Sequence, residues 1–246
     1  MIDNILSKFF RYGPKRFFYF AYLELGKIFY WQPIKKSYSQ NHEDLEIDKL
    51  LNYPKYGFYV DVGAYNPDRF SNTKRFYMRG WKGINIEPDM NSYNKFILKR
   101  PNDINLNIGI GEKEGVLTFY KMDTQTLSTF DFNEAKSYER QGYKIIEEKK
   151  ILVKKLSDVF DQYINDKEVI SFLSIDTEGF DMQVLKSNNW LKYQPLIICI
   201  ESVKHNIDID ESLESNVNQH VFLCDKGYKK VFDNGLNSIY KLERNI

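Results

Sequence analysis

Cysteine and histidine are scarce in this chain of 246 residues, with two of the first and three of the second. So few thiols and imidazoles exclude a disulfide framework and a Cys/His zinc cluster. A reducing, cytoplasmic setting is the expectation. Cys199 lies in the apolar run Leu196-Ile197-Ile198-Cys199-Ile200 and reads as a small core hydrophobe. An excess of one charge is lacking as well. The 35 Lys+Arg nearly match the 34 Asp+Glu, and a net charge of +1 gives no global pull toward nucleic acid. The apolar stretch near the start, residues 17–25, contains Glu24 and falls far short of the roughly 20 residues of a spanning helix. No secretory signal is recognisable. Glycine is also thin where a dinucleotide would need it, since Gly63 stands alone after an apolar strand and Pro67 follows. A pyrophosphate cradle wants G-x-G-x-x-G at that place, so a nicotinamide-dependent oxidoreductase is disfavoured.

What the chain does have falls into two parts. Residues 1–36 carry eleven aromatics among the first 31 positions, interleaved with Lys8, Arg11, Lys15, Arg16 and Lys27. Two short helices broken near Gly13-Pro14 are expected there. Such an arm either packs on the domain or on a second subunit, or lies peripherally on the inner face of a membrane. From residue 37 to 246, short apolar runs at 58–62, 84–86, 104–110, 170–175 and 196–200 alternate with longer amphipathic segments. That alternation predicts βαβ units and a mainly parallel sheet. Runs at 228–232 and 238–242, joined by Asp233-Asn234-Gly235, predict a closing antiparallel hairpin. Residues 115–155 read as an inserted hairpin, 116–120 with 151–155, around a long loop. The fold class expected is α/β, Rossmann-like.

Four strand ends carry acids. The first is Asp61, in Tyr59-Val60-Asp61-Val62-Gly63-Ala64. In a doubly wound sheet, ligands sit beyond the carboxyl ends of the strands. A carboxylate there suits an ammonium, and Gly63 lets backbone approach a ligand. The second is Glu87, 26 residues on, placed to accept ribose hydroxyls. The third is Asp176-Thr177-Glu178, which either caps the next helix or supplies a proton acceptor for a hydroxyl nucleophile. The fourth is Glu201, with His205 behind it as a second candidate base or as a surface residue. Asp176, Glu178 and Glu201 together form an oxygen donor set for Mg²⁺, if they converge.

In order along residues 38–242, Ser39-Gln40-Asn41-His42-Glu43-Asp44, the Asp61 strand, Gly80-Trp81-Lys82-Gly83-Ile84-Asn85-Ile86-Glu87-Pro88, Phe172-Leu173-Ser174-Ile175-Asp176-Thr177-Glu178-Gly179 and Asn237-Ser238-Ile239-Tyr240 resemble the FkbM family of methyltransferases. The resemblance implies a seven-stranded class I methyltransferase sheet, S-adenosylmethionine as methyl donor and O-methylation of a sugar hydroxyl in a glycan or glycosylated natural product. It implies that Gln40, Asp61, Gly63, Ala64, Tyr65, Glu87, Pro88, Asn107, Ile108 and Asp176 bind the cofactor. Catalysis would rest on Asp176, Glu178 and His205. The arm before residue 37 and the loop at 122–149 depart most from the family, and both lie where the acceptor is chosen. An inactive scaffold of the same fold is the rival reading, although both Asp61 and Glu87 are present.

Overall fold

In the computed structural model, residues 36–165, 167–202 and 218–243 are described. The aromatic arm, apart from Lys36, and His205 lie outside them. The chain forms β1 (Phe58–Val62), β2 (Lys82–Ile86), β3 (Ile104–Leu106), β7 (Ile170–Ile175), β8 (Ile197–Glu201), β9 (Tyr228–Asp233) and β10 (Asn237–Leu242) in one sheet, in the order β3-β2-β1-β7-β8-β10-β9. The first five are parallel, and β10 pairs antiparallel with both β8 and β9. This is the expected seven-stranded, mostly parallel sheet ending in antiparallel strands.

Such strands must bury both faces. All five residues of β1 and all six of β7 are buried. Val60, Val62, Ile84, Ile86, Leu173 and Ile175 pack on one side with Leu156, Val159 and Phe160 of α5 (Leu156–Tyr163). On the other side Tyr59, Phe172 and Cys199 meet Phe76 of α2 (Lys74–Met78) and Trp81. The Phe76 ring lies 4.6 Å from Phe172 and 4.9 Å from Trp81, contacts worth about 0.5–1.5 kcal/mol each beyond their area. α1 (Glu43–Leu50) is fastened to α2 by the buried Asp48, which takes Arg75 at 2.7 Å and Arg79 at 2.6 Å. α3 (Met90–Lys99) starts where the Asp89 side chain accepts from Asn91 and Ser92 N–H.

Two expectations change in detail. The run 104–110 is not one strand: it breaks at Asn107, and β4 (Gly109–Ile110) joins a second, three-stranded sheet. In that sheet β5 (Gly115–Met122) pairs antiparallel with β6 (Ile145–Lys154), so the inserted hairpin is longer than its apolar runs suggested. The stretch read as a loop contains a 3-10 turn at Gln125–Leu127 and α4 (Phe132–Arg140). A capping signal was present, because Asp131 precedes Glu134 by three residues and its side chain accepts from the N–H groups of Asn133 and Glu134.

The strand order reverses between β1 and β7. β2 and β3 build outward from β1 on one side, and the chain returns through the insertion to place β7 on the other. A crevice therefore opens above the carboxyl ends of β1 and β7, where ligands of open α/β sheets bind.

Candidate functional site

The crevice collects most of the sequence candidates. Gln40, Asp61, Gly63, Ala64, Tyr65, Glu87, Pro88, Ile108, Asp176, Glu178 and Glu201 all line it. Gly63 directly follows β1, beside the end of its parallel neighbour β7. Its φ is +76°, and a Cβ there would fall 1.8 Å from the Asp176 carbonyl oxygen. No side chain fits, so this glycine is required by both conformation and space. The N–H groups of Gly63 and Ala64 donate to the Ile86 carbonyl at 3.0 and 3.1 Å. These donors join β1 to β2 and are not aimed at a ligand.

Asp61 is buried, and its Oδ2 accepts the Thr73 hydroxyl at 2.7 Å. Burial pushes its carboxyl up, while Thr73, the Arg100 charge and Ser174 oppose that rise. Glu87 follows β2. Its Oε2 accepts the Tyr65 N–H and its Oε1 the Asp89 N–H, both at 2.7 Å. The loop after Gly63 is thereby held to the end of β2. Burial pushes Glu87 up to about 7 against those two bonds, with Asp89 and Asp61 adding repulsion.

That shift has a consequence for stability. The folded value of about 7 stands above the ordinary 4.5. The contribution is therefore present below about pH 4.5 and lost as pH rises through 7, on the order of 3 kcal/mol by linkage. We expect the unfolding temperature of the wild type to fall more between pH 5 and 8 than that of Glu87→Gln. Parallel curves would show that Glu87 ionises as easily folded as unfolded.

Asn107, expected beside the cofactor, uses its side-chain amide within the fold. Its Nδ2 donates to the carbonyls of Glu87 and Pro88, both at 2.8 Å, and braces the turn that carries them. Its side chain is spent in the scaffold. The opening segment also has a scaffold role. Asp44 accepts from the hydroxyls of Ser37 and Ser39 and from the Tyr38 N–H, while Glu43 accepts from Asn234 and Asn237 at 2.8 Å each. His42 stands at the N-cap, with φ 69° and no side-chain cap bond, and Glu43, Asp44 and Glu46 fill the first turn. Gln40 is thereby held at the mouth of the cleft, exposed to solvent.

Three acids meet across the floor. Carboxylate oxygens of Asp176, Glu178 and Glu201 lie within 4.8 Å of one another. All three carboxyls are raised, by desolvation and by like charge: Asp181 repels each, Asp61 and Glu43 add to Asp176, Asp176 adds to Glu178, and Glu178 and Asp176 both add to Glu201. Asp176 stays open to the solvent of the cleft, so for it the like charges are the firmer cause. Neither Asp176 nor Thr177 caps the next helix, α6 (Asp181–Lys186). Instead Asp181 takes the Thr177 N–H at 3.0 Å and its hydroxyl at 2.8 Å.

The insertion supplies what sequence reading missed. Tyr138 of α4 donates its hydroxyl to Glu178 Oε2 at 2.7 Å, and the Thr129 hydroxyl donates to the Glu178 carbonyl at 2.8 Å. Glu178 is held at φ 51°, a left-handed conformation that is uncommon for a residue with a Cβ. Phe119 and Phe130, 5.0 Å apart, join Ile108 and Phe180 in an apolar wall of the same cleft. The only advance sign of Tyr138 was the capping pattern that starts its helix.

The family described as the methyltransferase FkbM domain matches residues 61–230. No curated protein matches the chain. Two solved structures are similar in outline. One is a Klebsiella pneumoniae protein provisionally assigned as an O-methyltransferase, at 9% identity and TM-score 0.35, covering 99% of this chain and 96% of that one. The other is the O-methyltransferase NovP, at 11% identity and TM-score 0.36, covering 92% and 100%.

Proposed function

The chain belongs to the FkbM methyltransferase domain family, and on that premise we propose that it transfers the methyl group of S-adenosylmethionine to a hydroxyl oxygen of a sugar-type acceptor. The observation that carries this reading is the placement of acids around one cleft. Asp61 and Glu87 end neighbouring parallel strands, and the acid trio faces the same space.

S-adenosylmethionine supplies an electrophilic methyl on a sulfonium. The protein's work is to bind, align and accept a proton. Asp61 offers its charge to the ammonium of the amino-acid end. Glu87 retains lone pairs beyond its two backbone bonds for ribose hydroxyls. The wall of Ile108, Phe119 and Phe130 suits a flat base. With the Gly63 and Ala64 N–H groups spent, Gln40 is the cleft-lining amide that fits the ligand carboxylate. At the other end, Glu178 or Asp176 accepts the proton of the acceptor hydroxyl as its oxygen attacks the methyl carbon and the carbon–sulfur bond breaks.

The trio also fits a hard divalent cation such as Mg²⁺ by donor chemistry, since all three groups are oxygen ligands within reach of one centre. Bound by Asp176, Glu178 and Glu201, it would polarise the acceptor hydroxyl. Among the described residues no helix is long and apolar enough to cross a membrane.

The test is transfer of a labelled methyl from S-adenosylmethionine to a panel of free and glycan-bound sugars, run with Mg²⁺ and with chelator. Label should appear in an ether-linked methyl, with S-adenosylhomocysteine released in equal amount. Transfer to nitrogen or carbon acceptors alone would refute the oxygen assignment. A rate unchanged by chelator would remove the cation.

A further inference from the structure

Asp61 has two conflicting requirements under the function proposed above, on which this inference rests. It is buried, which favours its neutral form, and it must be an anion to hold an ammonium. A cation placed directly against it would solve the first problem and defeat the second, because the pair would be neutral before any ligand arrived.

The structure resolves this through a hydroxyl. Arg100, at the C-terminal end of α3, is 1% exposed. Its Nη1 donates to the Thr73 Oγ1 at 2.7 Å, and the Thr73 hydroxyl donates onward to Asp61 Oδ2 at 2.7 Å. Nη2 is held by the Ser71 Oγ at 2.8 Å and the Pro67 carbonyl at 2.7 Å. The rings of Tyr77 and Phe96 flank the guanidinium at 5.3 Å each. On its far side Nη1 reaches the Tyr59 hydroxyl at 3.5 Å, and that hydroxyl donates to Asp103. One buried guanidinium thus stands between two carboxylates with a single hydroxyl toward each.

Thr73 shows that this arrangement displaces an ordinary role. It occupies the N-cap of α2, where a threonine hydroxyl normally accepts from the first turn of its own helix. No such bond forms. The Phe76 N–H goes to the Thr73 backbone carbonyl at 3.1 Å and the Lys74 N–H to Ser71 Oγ at 3.1 Å, and the Thr73 hydroxyl is left for the link between Arg100 and Asp61.

We propose that Thr73 and Arg100 are positioning residues for the amino-acid end of S-adenosylmethionine, fixing the Asp61 carboxylate and relaying positive charge to it while leaving its net negative charge for the ligand ammonium. The relay acts on one end of the ligand only. A ligand without that end should not register its loss, whereas a general weakening of the fold would affect both.

The probes are S-adenosylmethionine and 5′-methylthioadenosine, which shares the adenosine and sulfur but lacks the amino-acid end. Both are titrated calorimetrically into the full chain as wild type, Thr73→Val, Thr73→Ser and Arg100→Gln, with unfolding midpoints recorded alongside. Thr73→Val preserves shape and removes the hydroxyl, so its S-adenosylmethionine affinity should fall about tenfold, the effect of losing one charge-assisted hydrogen bond. Its methylthioadenosine affinity should stay within about twofold on the same grounds. Thr73→Ser should return S-adenosylmethionine binding toward wild type, and Arg100→Gln should lose more for S-adenosylmethionine than for methylthioadenosine. Equal losses for both ligands in Thr73→Val, or no loss for either, would overturn the proposal. A folded wild type that binds neither ligand would remove the proposed function itself, and this inference with it.

Discussion

Replacing Asp61 by Asn should raise the dissociation constant for S-adenosylmethionine about 100-fold or more, roughly 3 kcal/mol, while leaving the protein folded. The size of the effect follows from where the charge sits. Asp61 is 5% exposed, and bulk water screens a partner there poorly. An ammonium brought into the cleft without its counter-charge would be a desolvated cation among neutral groups. The fold should tolerate the change because Asn has the same shape, and its amide oxygen can still accept the Thr73 hydroxyl that now reaches Oδ2. Burial already disfavours the charged form of Asp61, so the neutral variant should be no less stable than the wild type. Calorimetric titration at fixed ionic strength, with thermal unfolding of both proteins, decides the matter. An Asp61→Asn variant that binds within about threefold of wild type would mean the ammonium lies elsewhere, and the amino-acid end would have to be turned toward another acid of the cleft.

Asp61 and Glu87 were legible because strand geometry leaves little freedom. An apolar run with both faces buried can end only at the sheet edge, and the next polar residue is delivered to that edge. The same logic reached Asp176 and Glu201, but it could not say that they converge with Glu178. That depends on the neighbouring register of β7 and β8, in which Ser174 pairs with Cys199 and Ile175 with Ile200, so that the two strands end level. Groups that act through another residue were not legible. Arg100 and Asp61 are 39 positions apart and connected by a hydroxyl whose usual role is capping. Tyr138 lies in an insertion whose apolar pattern is weak, because α4 buries only Glu134, Ala135, Ser137 and Tyr138. The bracing role of the Asn107 side chain was not legible either. The break between β3 and β4 turns the chain from one sheet into another, and the side chain at that break is used to hold the turn.

Glu178→Gln should lower the methyl-transfer rate by about 10²–10³ with S-adenosylmethionine affinity little changed, the usual effect of removing a positioned base. Its neighbours make Glu178 the stronger of the two proton acceptors. The Tyr138 hydroxyl and the Thr129 hydroxyl hold the residue in a left-handed backbone conformation, and that uncommon geometry is maintained by an inserted helix with a buried tyrosine. A glutamine keeps the oxygen that Tyr138 donates to, so orientation survives while basicity is lost. The pH dependence gives a second signature. Desolvation and the repulsion of neighbouring acids, Asp181 among them for all three, raise Asp176, Glu178 and Glu201 above their ordinary range. With chelator present, activity should therefore climb with pH on a limb displaced above the usual carboxylate values, since the deprotonated form is the base. Asp176 raises Glu178 and not the reverse, so Glu178 keeps its proton to the higher pH, and the residual activity of Glu178→Gln, carried by Asp176, should climb at lower pH than the wild type. A variant that retains its rate within about threefold would pass the proton to Asp176. An unmoved limb would show that Glu178 does not set the pH dependence of the wild type.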